Sequence, residues 1–506
     1  MTTVGPVTRR AKTGAVLLAA VAVVAAGCSR TTATQQESEP PTAEAAGRFA
    51  DELSGRVSID AMMAHLQSLQ DIANAHGGTR AAGTPGYEAS VDYVATTLRD
   101  KGFDVQTPEF DYRAFTSGEV LLRIGGQPVP AKVLEFSAGT AAQGVAGPLV
   151  AAPADQDPGC SASDYDGLPV RGAVVLVDRG TCPFADKEAA AAARGAVGLI
   201  VADNVLEERM GGTLGEDNTN VTLPAVGVSK PDGERLRSRP GPVELRVDAT
   251  TSTVRSRNVV AQTKTGATDN VVVVGAHLDS VPEGPGINDN GSGTAAVLET
   301  AVQLGSSPEI ANGVRFTFWG AEESGLVGSR RYVASLSLDQ LRDIALYLNF
   351  DMLGSPNAGY LTYDGDQSIP PDERGVAIVP EGSAGIERTL AGYLDRAGKP
   401  AEDTAFDGRS DYDAFTRAGI PAGGLFSGAE DKMTADEAKE WGGKADEPFD
   451  PNYHQAGDTI DAVNRDALRI NGDGAAYAVG WYAQFLGGRN GVPVPEDRVR
   501  HLLPPS

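Results

Sequence analysis

The chain has 506 residues, 41% of them hydrophobic and 22% charged, which is enough for real cores and for more than one ordinary domain. Its formal net charge of −25 excludes binding driven by phosphate attraction, whether to nucleic acid or to an anionic lipid surface. The balance suits a soluble exported protein, and no nucleic acid partner is expected.

Arg9, Arg10 and Lys12 precede an apolar stretch, Ala15 to Ala26, of signal-peptide length and too short for a membrane span. The stretch ends in Val24-Ala25-Ala26-Gly27-Cys28, which resembles the lipobox of bacterial lipoproteins. Residues 1–27 are therefore expected to be a lipoprotein signal peptide, with Cys28 carrying the lipid. The alternative is an ordinary secretory cleavage site with an incidental cysteine. Residues 28–48 are polar and rich in Thr, Glu, Pro and Ala, the composition of a disordered tether. Helix-compatible sequence begins near Phe49 and opens a first ordered part, residues 49–134. Within it, Gly83-Thr84-Pro85-Gly86-Tyr87 leads a helical stretch to Leu98, and His65 and His76 are given structural or solvent roles.

Residues 135–250 change in character. Val170 to Val177 and Gly195 to Val201 read as strands, Asp186 to Arg194 as a helix, and Leu223 to Val228 closes the block. Asp178, Asp186 and Glu188 are expected on its surface, with no catalytic set among them. With Cys28 set aside, Cys160 and Cys182 remain, an even pair in an oxidising compartment. One disulfide or two free buried thiols are both open.

Residues 251–487 carry the chemistry. Val271-Val272-Val273-Val274-Gly275-Ala276 is the pattern of a strand buried on both faces, and His277 and Asp279 follow it. Gly293 to Leu304 reads as a helix behind the turn-rich Asn288-Asp289-Asn290-Gly291-Ser292. Val314 to Trp319 and Ile344 to Phe350 are further strands, delivering Glu322-Glu323 and Asp351. Ligands of open α/β sheets gather outside the carboxyl ends of the strands, where these groups fall. Each segment alone reads as a turn or a solvated helix start. Together, His277, Asp289, Glu323, Asp351 and His454 give two imidazoles and three carboxylates, a set suited to two Zn²⁺ sharing one carboxylate, with Glu322 left over as a base. Only five histidines occur in the chain, and two fall in this set. Trp441 and the acidic stretch Glu430 to Glu447 are expected as a loop at the pocket mouth. The Pro-rich residues 488–506, including His501, are expected to be a disordered tail.

Over about residues 75–485 the chain resembles the secreted double-zinc aminopeptidases, the family of bacterial leucine aminopeptidases and aminopeptidase Y, including actinobacterial lipoprotein members. The likeness rests on Gly275-Ala276-His277-Leu278-Asp279-Ser280, Gly286 to Gly293, Phe318 to Ser329, Asp407-Gly408-Arg409-Ser410-Asp411-Tyr412, Gly419 to Phe426 and Tyr453-His454-Gln455. It implies a central mixed β-sheet flanked by helices, the zinc-dependent exopeptidase fold. It also implies that His277 and Asp351 hold one zinc, Glu323 and His454 the other, and that Asp289 bridges them. Asp279 would accept the other ring N–H of His277, and Glu322 would take the proton from the attacking water. Tyr453 would donate to the oxyanion and Arg409 would position the substrate. Ile420 and Phe426 could line a pocket for a bulky apolar first side chain such as Leu. Relatives carry cysteines on either side of the Tyr-His-Gln segment, where this chain has Asn452 and Gly457. Arg179-Gly180-Thr181-Cys182-Pro183-Phe184 and Lys187 to Val201 make residues 135–250 similar to the protease-associated domain. The activity implied is aminopeptidase, performed by a lipid-anchored monomer facing outside the cytoplasm. The alternatives are a glutaminyl-cyclase-like enzyme and a surface receptor that has lost catalysis.

Overall fold

The computed structural model describes residues 42–154, 158–206, 210–370, 379–487 and 491–504. The signal segment, Cys28 and the tether up to residue 41 lie outside the described residues. Helical structure begins earlier than the composition suggests, with Ala43–Ser54 rather than near Phe49. The reason is local: the Thr42 side chain accepts from the Ala45 N–H, and Glu44 sits in the first turn. Ala46, Ala50 and Leu53 then face inward, where this helix packs on the long helix Arg465–Gln484.

Among the described residues, a first sheet has eight strands in the order Asp104–Gln106, Val259–Gln262, Asn312–Trp319, Ala267–His277, Ile344–Phe350, Ala422–Phe426, Leu361–Tyr363, Glu402–Thr404. The four central strands run parallel, while Val259–Gln262 and Leu361–Tyr363 pair antiparallel to their inner neighbours, so the sheet is mixed as expected. Val271 to Val274 and Ile344 to Leu348 are fully buried, because helices cover both faces. The helix Gly293–Leu304 lies on one face under Ile59–Ala75 and Arg465–Gln484. Ten of its twelve residues are buried, which explains its nearly all-round apolar sequence.

A second sheet, also of eight strands among the described residues, is the inserted β-rich part. A long antiparallel ribbon, Glu109–Ile124 with Pro242–Arg257, carries it, and Val145–Ala151, Val174–Asp178, Gly198–Ala202 and Ala225–Val228 continue it. The ribbon's length was not legible, since the polar middles Ser117-Gly118-Glu119 and Thr250 to Thr253 interrupt its apolar alternation. Cys160 and Cys182 form a disulfide, which settles the open alternative. Glu188 is not on the surface. It is 1% exposed and accepts from the N–H groups of Thr222 (2.9 Å) and Leu223 (2.8 Å), closing a loop that has no ladder partner.

Two further expectations are corrected. Trp441 ends the helix Ala435–Trp441 instead of lying in a loop at the pocket mouth. Its ring is buried against Tyr360 and Phe449 and donates to the Pro400 carbonyl. The tail is seated rather than disordered over its described part. Arg498 donates to the carbonyls of Asp269 and Arg342, and Arg500 to those of Leu341, Ile344 and Gly419. Both arginines are buried, and through these carbonyls they tie the tail to the helix Leu338–Asp343 and to the starts of two central strands. Among the described residues, no helix is long and apolar enough to cross a membrane.

Candidate metal centre

The parallel strands end at a common edge, and three of them place a polar group there. His277 is the last residue of its strand, Asp351 follows Phe350, and Glu322-Glu323 follow the strand ending at Trp319. Asp289 comes from the irregular turn Ile287–Ser292, whose Asp289 and Asn290 leave helical geometry before the helix at Gly293. His454 arrives from the loop after Asp450. Ala321, Met352 and His454 all have positive φ, at 58°, 50° and 55°. Non-glycine residues in this region cost about 1–3 kcal/mol each, and here they cluster where carboxylate and imidazole tips must converge.

The convergence is tight. His277 Nε2 lies 3.2 Å from Asp289 Oδ1 and 3.3 Å from Asp351 Oδ1. His454 Nε2 lies 3.2 Å from Asp289 Oδ2 and 3.1 Å from Glu323 Oε2. Asp289 therefore presents one oxygen to each imidazole. Glu322 Oε2 stands 4.0 Å from His277 Nε2, at the margin of the set. Glu323 Oε1 and Asp351 Oδ1 are buried and, among the described residues, have no hydrogen-bond partner. Orphaned carboxylate oxygens beside two imidazoles fit divalent zinc, which takes nitrogen and oxygen donors.

The electrostatics point the same way. Burial alone would raise the Asp289 carboxyl, but the His277 and His454 imidazoles hold it well below the usual range. Burial and its neighbour Asp289 push Glu323 up to about 7. Burial also drives Glu322 well above its ordinary value, with Glu323, Asp411 and Asp351 adding to the effect. Burial opposes protonation of His454, yet the Asp289 and Glu323 carboxylates push it up to about 10. Four carboxylates crowded out of water need compensating positive charge, which the imidazole protons supply here and which a bound metal would supply by displacing them.

Supporting hydrogen bonds fix the tips. Trp319 donates to Tyr347, Tyr347 to Asn349, Asn349 to Ser410, and Ser410 to Asp351 Oδ2 at 2.6 Å. Asp458 accepts the N–H groups of Asn288 (2.7 Å) and Asp289 (2.9 Å), holding the turn. Asp279 differs from expectation. The His277 Nδ1–H lies 3.2 Å from the Asp279 backbone carbonyl, whereas the nearer carboxylate oxygen is 3.8 Å away. The carboxylate is engaged elsewhere, accepting from the N–H groups of Glu322 (3.1 Å) and Glu323 (3.3 Å). It thus holds the loop carrying both glutamates, while the carbonyl fixes the imidazole tautomer.

His277, Asp289, Glu322, Glu323, Asp351, His454, Tyr453, Arg409 and Phe426 line one cleft of about 100 Å³. Arg409 donates to the Tyr453 hydroxyl at 3.2 Å and pairs with Glu430 at 2.9 Å across the rim. Ile420 is a correction: it is fully buried in the core that holds Tyr347 and Phe415 and does not line the cleft. Ile420 precedes the strand Ala422–Phe426 and Phe426 ends it; at about 3.3 Å per residue they stand at opposite ends. Met352, Tyr363 and Tyr412 supply apolar wall instead.

Arg80 was missed. It is fully buried and donates to the carbonyls of Leu278, Pro285 and Gly286, tying together the segments that carry His277 and Asp289. Burial pulls its guanidinium down to about 10 despite Asp279, Asp458 and Asp289 nearby. Its neighbourhood in the sequence, Thr79-Arg80-Ala81, gives no signal. Arg80→Met is expected to leave the buried carbonyls of Leu278 and Pro285 unpaired, at about 1–3 kcal/mol each, while that of Gly286 keeps the Gly291 N–H. Thermal melting of the purified variant should show a clearly lowered Tm, and an unchanged Tm would contradict this role.

The sequence model of Peptidase family M28 matches residues 258–479, and that of the PA domain matches residues 145–236. The chain is 66% identical to the probable lipoprotein aminopeptidase LpqL of Mycobacterium tuberculosis, over 96% of this chain and 97% of that protein. Its fold is similar to the aminopeptidase from Aneurinibacillus sp. strain AM-1, with TM-score 0.66 and 27% identity, covering 85% of this chain and 95% of that one. It is also similar to BSAP, a zinc aminopeptidase from Bacillus subtilis, with TM-score 0.55 and 25% identity over 86% and 98% of the two chains. The chain belongs to peptidase family M28, with a PA domain inserted in its peptidase fold. It is a hydrolase acting on peptides.

Proposed function

We propose that the chain is an exported zinc aminopeptidase that uses two zinc ions to remove N-terminal residues, Leu-like ones preferentially. The observation that carries the two-metal reading is Asp289, which turns one oxygen to each imidazole across a cleft floored by carboxylates. His277 and Asp351 would hold one ion, Glu323 and His454 the other, and Asp289 both. When bound, the pair supplies Lewis-acid polarisation of the scissile carbonyl and acidification of water.

The chain's own groups do the rest. Glu322 takes the proton of the attacking water and returns it to the leaving amine. The Tyr453 hydroxyl, oriented by Arg409, donates to the oxyanion as it forms. Asp279 keeps Glu322 and Glu323 in place through their backbone. Met352, Phe426, Tyr363 and Tyr412 offer the first side chain an apolar wall. The names of the similar proteins, aminopeptidase and zinc aminopeptidase, support this reading. One chain supplies every member of the site, so a monomer suffices. Residues 49–134 and 251–487 would form the peptidase part and 135–250 the insert, with the ribbon strand Pro242–Arg257 crossing the second boundary and its partner Glu109–Ile124 reaching from the first part into the insert's sheet. A panel of aminoacyl chromogenic substrates, assayed with chelator and with added zinc, tests the proposal. Turnover should be led by leucyl and abolished by chelator; chelator-resistant turnover would refute it.

Anchoring on Cys28 belongs to the same proposal, supported by the word lipoprotein in the name of the Mycobacterium relative. Cys28→Ser is expected to release the protein from the membrane fraction or block its processing, without changing kcat of the purified enzyme. One acyl chain gives only marginal binding, so more than one is expected on this cysteine. Unchanged membrane association in fractionated cells would point to another anchor.

A further inference from the structure

The loop Gly320 to Gly328 holds both Glu322 and Glu323 and is folded back on itself. Gly325 and Leu326 donate to the Glu322 carbonyl, Val327 to that of Ala321, and Gly328 to that of Gly320. On its inner side Asp279 grips the two glutamate N–H groups. On its outer side the loop meets the ribbon that carries the inserted domain. Ala321, buried and at φ 58°, packs with Val327 and Tyr112, and Phe110, Ala114, Val254 and Ala82 close the cluster. Phe110, Tyr112 and Ala114 alternate along one ribbon strand and so share a face. Tyr112 is 3% exposed, and its hydroxyl lies 3.4 Å from Ser324 Oγ.

A second tie leads into the insert. Arg113, next to Tyr112, donates to the carbonyls of Glu216 and Asn218, both at 2.7 Å. Those residues fall within the PA-domain match. The Glu216 carboxylate in turn stands 3.9 Å from Arg331, on the helix Val327–Ser335 that continues the glutamate loop. The loop is therefore clamped between the metal centre and the insert, with Tyr112 at the hinge of the clamp.

We propose that Tyr112, which does not line the cleft, is a positioning residue for the reaction. By packing on Ala321 it holds the Glu322-Glu323 loop in register, and it makes turnover depend on how the inserted domain is seated. This rests on the reading of Glu322 as base and Glu323 as ligand. The ring carries the effect, since the hydroxyl contact is long. Release of the positive-φ Ala321 from its cage lets Glu322 wander. Displacement of a reacting group by about 1 Å is worth up to about 10²-fold in rate.

The test uses the full chain with Tyr112→Ala, Tyr112→Phe and Glu322→Ala, measuring kcat, KM on a leucyl substrate and zinc content. Tyr112→Ala is expected to lower kcat roughly 10- to 100-fold, with KM within about twofold and zinc retained. Tyr112→Phe should recover most of the rate, which a hydroxyl-mediated role would not allow. Wild-type kcat in Tyr112→Ala, or a loss explained by raised KM or lost zinc, overturns the proposal. Should Tyr112→Ala not fold, the half-buried Phe110→Ala reads the same question: a several-fold fall in kcat at constant KM supports it, and wild-type kcat overturns it. An active Glu322→Ala would defeat the underlying reading. An inactive Glu322→Ala beside wild-type Tyr112 variants would defeat the coupling alone.

Discussion

Glu322→Ala is expected to keep its full zinc content and to lose about 10²–10⁴-fold in kcat, the usual worth of a general base. Two features of its place motivate this. Its carboxylate is buried in the cleft wall but stands 4.0 Å from His277, outside the tight imidazole–carboxylate contacts of Asp289, Asp351 and Glu323. Burial also raises its affinity for a proton well above that of an ordinary glutamate, which suits a group that must accept one and give it back. Steady-state kinetics with metal analysis on the same preparation checks the result. Activity within a few-fold of wild type would remove Glu322 from the base role, and lost zinc would make it a ligand.

The second large effect concerns the substrate's amino group. N-acetylated leucyl substrates are expected to be cleaved roughly 10²–10⁴-fold less efficiently, in kcat/KM, than their free counterparts. Glu322 and Asp351 lie at the floor of a cleft where a free ammonium would find a carboxylate partner. Acetylation removes that charge and leaves a buried carboxylate without its partner, a loss of about 3–5 kcal/mol. Comparable rates on the two substrates would make the enzyme an endopeptidase or a carboxypeptidase.

The strands that deliver His277, Glu322 and Asp351 were legible because parallel strands buried on both faces must be apolar throughout, so polar groups stand out where the run stops. The helix Gly293–Leu304 was legible for the same reason. What escaped were polar residues whose partners come from remote segments. Arg80, Glu188, Arg498 and Arg500 belong to types usually found in water, and only the folded chain brings carbonyls or N–H groups that let them be buried. Ile420 and Trp441 escaped for the opposite reason. An apolar residue near a site motif is as readily core as pocket wall, and both pack into cores. The role of Asp279 was half legible: its place behind His277 was marked by spacing, but the direction of its carboxylate depended on the loop at Glu322.

The most direct test of the two-metal claim is a zinc titration of the chelator-stripped enzyme, followed by turnover of a leucyl substrate and by bound metal per chain. The site built around Asp289 predicts that activity reaches its plateau at two zinc ions per chain. A plateau at one ion per chain, with the second site never filling, would contradict it.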